Sequence, residues 1–350
     1  IQSGANYRLY YRGLPVPKHN TGDESLCVAE SYDGQHFTRL NINKYRQGGT
    51  SLNNVIIPQS QCGTHSMGIM FDNRRGVAAG ERWKGIGVEQ LPNENDNHLV
   101  AFTSPDGLTW NRVTSGPTIT NDTGHFAFDS QNVPLWSEAE QKYIVYGRTW
   151  QRGTRWISRW ESSDFRTWSK SKFLTFSGPD NRPLPDTHYY INQFSPYFRA
   201  PHILLGTAAR FYPGRQVLSS ADAKAVGIHP DYFKDTSDAV LLTSRGGTTI
   251  HRDLEGTLLR PGIGASFELR AEVLRLGSRV ASTRMEFLDA EGKLIGARTD
   301  ALSARGGGRA IVVVVGRGRG CVVEAGGYGW RRCLPLPTSL KVRHSRSRVV

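Results

Sequence analysis

Short runs in which apolar and polar residues alternate recur along the chain. NYRLYYRG sets Tyr7, Leu9 and Tyr11 on one face and Arg8, Tyr10 and Arg12 on the other, the period of two expected of a half-buried strand. ERWKGIGVE, QKYIVYGRTW and PHILLGTAARF read in the same way, as half-buried or buried strands rich in aromatic and β-branched residues. No window carries an apolar stripe at i, i+3, i+4 and i+7 between caps, and residues 221–226 alone suggest a short helical turn. The pattern predicts an all-β chain.

The turns repeat with the strands. In TSPDGLTWNRV, residues 103–113, Asp106-Gly107 predicts a tight two-residue hairpin turn. Ser104 and Asp106 are placed to cap its amides, and Trp110 to return over it. The same grammar occurs in AESYDGQHFTRL (Ser31, Asp33, Gly34, Phe37) and WESSDFRTWSK (Ser162, Asp164, Trp168). LTSRGGTTIHR is a weaker copy, with Ser244, Gly246, Gly247 and Ile250. The copies begin roughly 60 to 80 residues apart, longer than simple propeller repeats and suited to four-stranded blades with long connections.

Composition agrees: 38 Gly and 17 Pro in 350 residues supply many turns. The net charge of +13 is concentrated at one end, because residues 303–350 hold ten Arg or Lys against Glu324 alone. That stretch coincides with low-complexity runs (RGGGRA, IVVVVGRGRG, RHSRSRVV), which point to a poorly structured terminus before a nucleic-acid surface. Cys27, Cys62, Cys321 and Cys333 show no zinc-ligand spacing. The chain contains no H-E-x-x-H, P-loop, EF-hand or G-x-S-x-G motif, and Ile311 to Val315 is too short to span a bilayer.

Function is therefore sought at strand starts, where the inner strands of a propeller bring distant residues to one channel. GIMFDNRRG places Asp72 after an apolar run, before Glu81 and Trp83. HFAFDSQNVPLW places Asp129 beside Phe126 and Phe128. Each aspartate reads as either a turn cap or a functional carboxylate.

The runs SYDGQHFTRLNI, SLNNVII, FDNRRGVAAGERWKGIG, FDSQNVPLWSEAEQKYIVYGR, INQFSPYFRAPHILLGTAARFYPGR and SDAVLLTSRGG ending in RPGIG resemble a bacterial branch of the five-bladed β-propeller superfamily that includes glycoside hydrolase families 32 and 43. The resemblance covers about residues 1–264. It implies a polysaccharide-active glycosidase with three acidic residues from different blades: a nucleophile or base, a transition-state stabiliser and a general acid. Asp129 matches the middle aspartate, and Asp72 sits comparably one blade earlier. The first-blade aspartate has no counterpart in NYRLYYRG, and the general-acid position reads HYYINQFSP, offering His188, Asn192 and Gln193. A working pair is expected from Asp72 and Asp129 facing each other across the channel, with Glu81 or Asp186 as substitutes. Arg199, Arg210 and Arg215 are candidates to bind the sugar, and His202 is expected as a hydrogen-bonded inner-strand residue in the same group. No metal ligands and no cofactor are expected, a structural Ca²⁺ in the channel aside. The partner implied is an oligosaccharide or polysaccharide, with no nucleic acid or membrane, met by a monomer in a secreted or periplasmic setting.

The organisation expected is a propeller over residues 1–264, partial β-sandwich-like strands over 265–302 and the basic tail over 303–350. Four turn copies against five expected blades leave the ring to be completed by the later strands or left incomplete. Two other readings stand: a carbohydrate-binding propeller without turnover, and a sialidase-like propeller. The latter's turns usually read Ser-x-Asp-x-Gly-x-x-Trp, one residue longer than those here, and its chemistry needs an Arg triad and a Tyr nucleophile.

Overall fold

The computed structural model describes residues 1–14, 24–47, 49–58, 67–91, 96–124, 126–178, 181–216, 218–225, 227–228 and 233–256, and the backbone strands of 267–276, 280–289, 294–303, 310–316 and 319–325. Cys62, Cys333 and most of the basic tail lie outside these residues. The chain divides into two units: Ile1–Phe176 with Pro183–Phe211 and Leu242–Ile250, and Ser177–Arg182 with Tyr212–Leu241 and His251–Val350.

Nearly every described element is a strand, and four antiparallel sheets follow one another with the strand order of propeller blades. The first runs Gln2–Ser3, Asn6–Gly13, Ser25–Ser31 and Thr38–Arg39, with Val55–Ile57 also paired to Ser25–Ser31. The second runs Gly68–Phe71, Trp83–Gln90, Asn97–Ser104 and Asn111–Arg112, and the third Val133–Ser137, Lys142–Gln151, Thr154–Ser162 and Lys172–Phe173. The fourth orders His188–Tyr197, Ala200–Tyr212, Thr236–Ser244, Thr249–Gly256 and Thr175–Ser177. Five blades were expected; four stand among the described residues.

Within the first unit, apolar faces of successive sheets meet. Leu26, Val28 and Ile56 pack with Val100 and Phe102 between the first and second sheets. Ile86, Leu99 and Ala101 pack with Phe128, Tyr143, Val145 and Trp160 between the second and third. Between the third and fourth, Tyr146 meets Phe194 at 4.5 Å and Trp156 meets Phe176 at 5.1 Å, ring centre to ring centre. Each fully buried side chain of this size stabilises by about 1.5–3 kcal/mol.

The repeated turns have one construction. Ser31, Ser104 and Ser162 each accept, through Oγ, the amide of the residue three positions on, at 2.9, 2.8 and 2.9 Å. Asp33, Asp106 and Asp164 each accept the next two amides at 2.7–2.8 Å. Each Ser also stands across the ladder from an aromatic residue: Tyr7, Trp83 and Tyr143. The Asp106-Gly107 two-residue hairpin is not formed. Residues 105–110 make a longer connection, because the Ser and Asp side chains satisfy amides that a tight turn would have left to the ladder. Gly34 and Gly107 both adopt φ 72° at the position where Phe165 takes φ 63°. Phe165 tolerates that conformation because its ring is buried between Tyr143 and Trp168. In the fourth copy the missing aspartate is replaced from the preceding sheet: Glu140 Oε1 accepts the Gly247 amide at 3.1 Å, while Arg159 donates to the Gly247 carbonyl.

In the second unit, the helix suggested near 221–226 spans Ser220–Ala225, and Ser219 Oγ accepts the Asp222 amide at 3.1 Å at its start. Tyr212 donates to Asp238, and the Gly214 amide to Asp235. Phe267–Leu276, Val280–Asp289 and Leu294–Ser303 form an antiparallel three-stranded sheet, and Ala310–Gly316 pairs with Arg319–Ala325. No helix among the described residues is long and apolar enough to cross a membrane.

Candidate functional site

The innermost strands decide which residues meet. Gly68, first residue of its strand, lies against the segment that opens the next inner strand. A Cβ added there would come within 1.8 Å of the Asn132 carbonyl oxygen. At the far end, Asp72 follows Phe71 and receives the Tyr143 hydroxyl at 2.7 Å, and Tyr143 is the ladder partner of Trp136. Adjacent inner strands therefore run in the same direction. Asp129, which precedes Val133, and Asp72, which follows Phe71, lie at opposite ends of them. The stretch from Val133 to Trp136 alone spans about 10 Å, beyond the roughly 6.5–9.5 Å that an inverting carboxylate pair requires. The expected Asp72–Asp129 pairing across the channel is not formed.

Asp72 belongs to a buried charge cluster. Arg74 meets its two oxygens through Nε and Nη2, each at 2.9 Å, and Lys84 Nζ stands 3.9 Å away. The Arg74 guanidinium lies 3.2 Å over the Trp136 ring. Burial by itself would raise the Asp72 carboxyl, but the bonds from Arg74 and Tyr143 hold it below the ordinary aspartate value. Burial lowers the Lys84 ammonium. Glu81 stands at this same end, its carboxylate on Arg166 and its carbonyl accepting from Lys84. Arg199 and His202 are exposed, at and just after the turn that leaves His188–Tyr197; they sit at the other end of that strand from His188. These four residues are not brought to Asp129.

The Asp129 end is a different environment. The Asp129 side chain is 53% exposed, and the Arg148 that meets it at 2.5 Å is 3% exposed. Arg148 also donates to the Phe126 carbonyl at 3.3 Å. Phe126 and Phe128 both hold φ 65°, a left-handed conformation that costs a bulky residue roughly 1–2 kcal/mol. Phe128 is pinned by burial against Trp160 and by its amide bond to the Arg148 carbonyl at 2.7 Å. Phe126 is 72% exposed. Ser130 donates to the Tyr190 carbonyl at 3.1 Å, and Asn132 to the carbonyls of Phe128 and Ser130. The Asp129 turn is thus tied to two neighbouring strands.

Around it gather rings and guanidinium groups from the third and fourth sheets. Arg148 lies 5.3 Å from the Tyr190 ring centre. Arg155 lies 5.1, 4.9 and 4.7 Å from those of Trp150, Tyr190 and Phe211. His188 accepts the Arg155 amide through Nδ1 at 3.1 Å, which leaves Nε2 as the ring's donor. Burial, then the Arg155 charge, lowers the His188 pKa and favours the neutral ring. Asp186 meets Arg152 in a bidentate pair at 2.6 and 2.7 Å that holds its carboxyl below the ordinary value. Arg210 is buried across the ladder from Tyr189. Asn192 is 1% exposed, with neither amide atom hydrogen-bonded among the described residues, and Gln193 is exposed. Trp150, Arg155 and Phe211 were not singled out in the sequence; the aromatic residues flanking the Gln151–Thr154 hairpin were the available signal.

Among the described residues, no group of three or more His, Cys, Asp or Glu side chains is placed to hold a metal ion. Cys27 is a free, buried thiol.

No family model and no curated protein matches the chain. Among solved structures it is similar to an N-acetylgalactosamine deacetylase from F. plautii, with TM-score 0.47 and 12% identity over 83% of this chain and 84% of that one. It is also similar to a GH32 β-fructofuranosidase from Bombyx mori, with TM-score 0.47 and 11% identity over 93% of this chain and 61% of that one. A third is a glycosyl hydrolase from Bacteroides ovatus, with TM-score 0.39 and 14% identity over 87% and 84%.

Proposed function

We propose that the chain is a glycoside-hydrolase-like β-propeller, five-bladed as in the superfamily its sequence resembles, that takes a saccharide at the Asp129 end of its inner strands. The observation that carries this reading is the Asp129–Arg148 pair: an accessible carboxylate fixed by a buried guanidinium, three residues from the exposed Phe126 ring. A carboxylate accepts sugar hydroxyls, and the exposed ring offers a flat apolar face to the C–H side of a sugar. In a cleavage reaction Asp129 would serve as base or nucleophile, since a carboxylate bonded to a guanidinium is an acceptor.

A second reading, saccharide binding without turnover, is favoured by Asp186. Glycoside cleavage needs a protonated carboxyl group opposite the ionised one, and Arg152 keeps Asp186 from holding its proton.

One experiment separates the two. Reducing-sugar release from fructans, arabinans, xylans and pectic fragments is measured for the wild type and Asp129→Asn, with binding followed on the same panel. Release by the wild type that the variant loses, with its circular dichroism unchanged, supports the hydrolase. Binding without release supports the binding propeller. Neither binding nor release sinks both.

A further inference from the structure

We propose that His188 holds the saccharide taken at the Asp129 end, donating to a sugar oxygen through the Nε2–H of its neutral ring. This rests on the saccharide reading of the site and adds a binding residue to it.

His188 opens the strand His188–Tyr197. Ser130, the neighbour of Asp129, donates to the carbonyl of Tyr190, two residues on from His188, so the start of this strand stands at the Asp129 end. The imidazole is half-buried, and three contacts fix it. Nδ1 accepts the Arg155 amide at 3.1 Å. The Trp150 and Phe211 rings meet it nearly at right angles, at 86° and 83°, with ring centres 6.1 and 6.0 Å away.

The bond to Nδ1 decides the chemistry of the other nitrogen. An imidazole whose Nδ1 lone pair accepts an amide carries its proton on Nε2, which makes Nε2 a donor and leaves no free base on the ring. Among the described residues no group accepts that proton. A donor whose tautomer and ring plane are set before the ligand arrives costs little further ordering on binding. It also complements Asp129, an acceptor: a sugar hydroxyl gives a proton to one and takes a proton from the other.

Spacing suits one occupant. The Trp150 ring centre lies 6.0 Å from that of Phe126 and 6.1 Å from that of His188, which puts the outer two within about 12 Å of each other. An oligosaccharide lying on Phe126 therefore reaches His188 with a neighbouring unit.

The same arrangement makes the grip depend on pH. The charged and titratable groups on the elements packed against the ring are Arg152 and Arg155 of the hairpin, Asp186 paired to Arg152, Tyr190, and Arg210 one rung along the ladder. Burial, then the Arg155 charge, keeps the ring neutral. A second proton would sit on Nδ1, opposite the Arg155 amide proton, and break the bond that sets the ring.

The test is calorimetric titration of the full chain with fructan, arabinan, xylan and pectic oligosaccharides, with the His188 ring followed by NMR of isotope-labelled histidine. The wild type should show the Nε2–H tautomer at neutral pH, and its Nε2 resonance should move on saturation. His188→Asn keeps an oxygen for the Arg155 amide but has no donor at the Nε2 position, and should bind roughly tenfold or more weakly. His188→Gln brings an amide N–H near that position and should recover part of the loss. Wild-type affinity should fall over the pH range in which the ring is seen to gain its second proton. An Nε2 resonance unmoved at saturation, His188→Asn binding like the wild type, equal losses in the two variants, or affinity that holds while the ring protonates would each overturn the inference. If neither variant folds, the resonance and the pH profile of the wild type decide. Binding that leaves His188 unmoved removes this inference alone; failure of every oligosaccharide to bind removes the saccharide reading beneath it as well.

Discussion

Asp129 and Arg148 form an ion pair in which one partner is half exposed and the other is buried: 53% against 3% of the side chain, at 2.5 Å. The asymmetry fixes what each does. Arg148 is also bonded to the Phe126 carbonyl and lies near the Tyr190 ring, so it holds the turn in place and aims the carboxylate outward.

Asp129→Asn should therefore fold and lose the site's function. The guanidinium left behind keeps its bond to Phe126 and gains an amide oxygen, so the loss of stability should stay near 1–2 kcal/mol, below the roughly 3–5 kcal/mol of a pair broken in full burial. Arg148→Met should cost more, because it releases the left-handed turn. Urea unfolding of both variants measures the difference; equal destabilisation would show that Arg148 does not organise the turn.

Asp72 should behave in the opposite way. Its carboxylate is buried and bonded by Arg74 and Tyr143, with Lys84 close by, so Asp72→Asn leaves two cations without their shared counter-charge. A destabilisation of about 3–5 kcal/mol is expected, and saccharide binding measured well below the melting temperature should be unaffected, because the cluster lies at the other end of the inner strands. A loss of binding by a folded Asp72→Asn would place it in the site after all.

Acid should unfold the chain in a defined window. Burial would raise the Glu161 carboxyl, but Lys172, Lys142 and Arg159 pull it down to about 2. A carboxyl with a lower pKa in the folded state leaves the unfolded chain binding more protons, so stability rises with pH. The contribution is fully present above the ordinary glutamate value of about 4.3 and is lost as pH falls through about 2. Asp72 adds to the same slope with the same sign. Stability measured from pH 6 down to about 2 should fall less steeply for Glu161→Gln than for the wild type; parallel curves would refute the assignment.

The repeated turns were legible because Ser, Asp and the residue after Asp act within a few positions of each other. Even there, the Glu140 that completes the fourth turn arrives from the preceding sheet, 107 positions away. The separation of Asp72 from Asp129 had a local signal too. One aspartate follows its apolar inner strand and the other precedes its own, and parallel neighbours send such residues to opposite ends. The cluster around Arg155 had no comparable signal. Trp150, Tyr190 and Phe211 come from three strands on two sheets, and their convergence depends on how those sheets pack, which no periodicity records.

Phe126 offers the last test, because it sets stability against function at one position. It holds φ 65° with its ring 72% exposed, so the fold gains little from the ring and bears the cost of the left-handed backbone. Phe126→Gly removes that cost, while glycine's greater freedom in the unfolded chain offsets part of the gain. The net expectation is stability unchanged or raised by up to about 1 kcal/mol. If the ring is a platform for sugar, the same variant should bind saccharide roughly tenfold or more weakly, since stacking on an exposed ring is the contact removed. Melting and titration on one preparation give both values. A variant that is more stable and binds as tightly as the wild type would show that the strain serves no saccharide contact at Phe126, and would leave the positioning of Asp129 to Phe128 and Arg148.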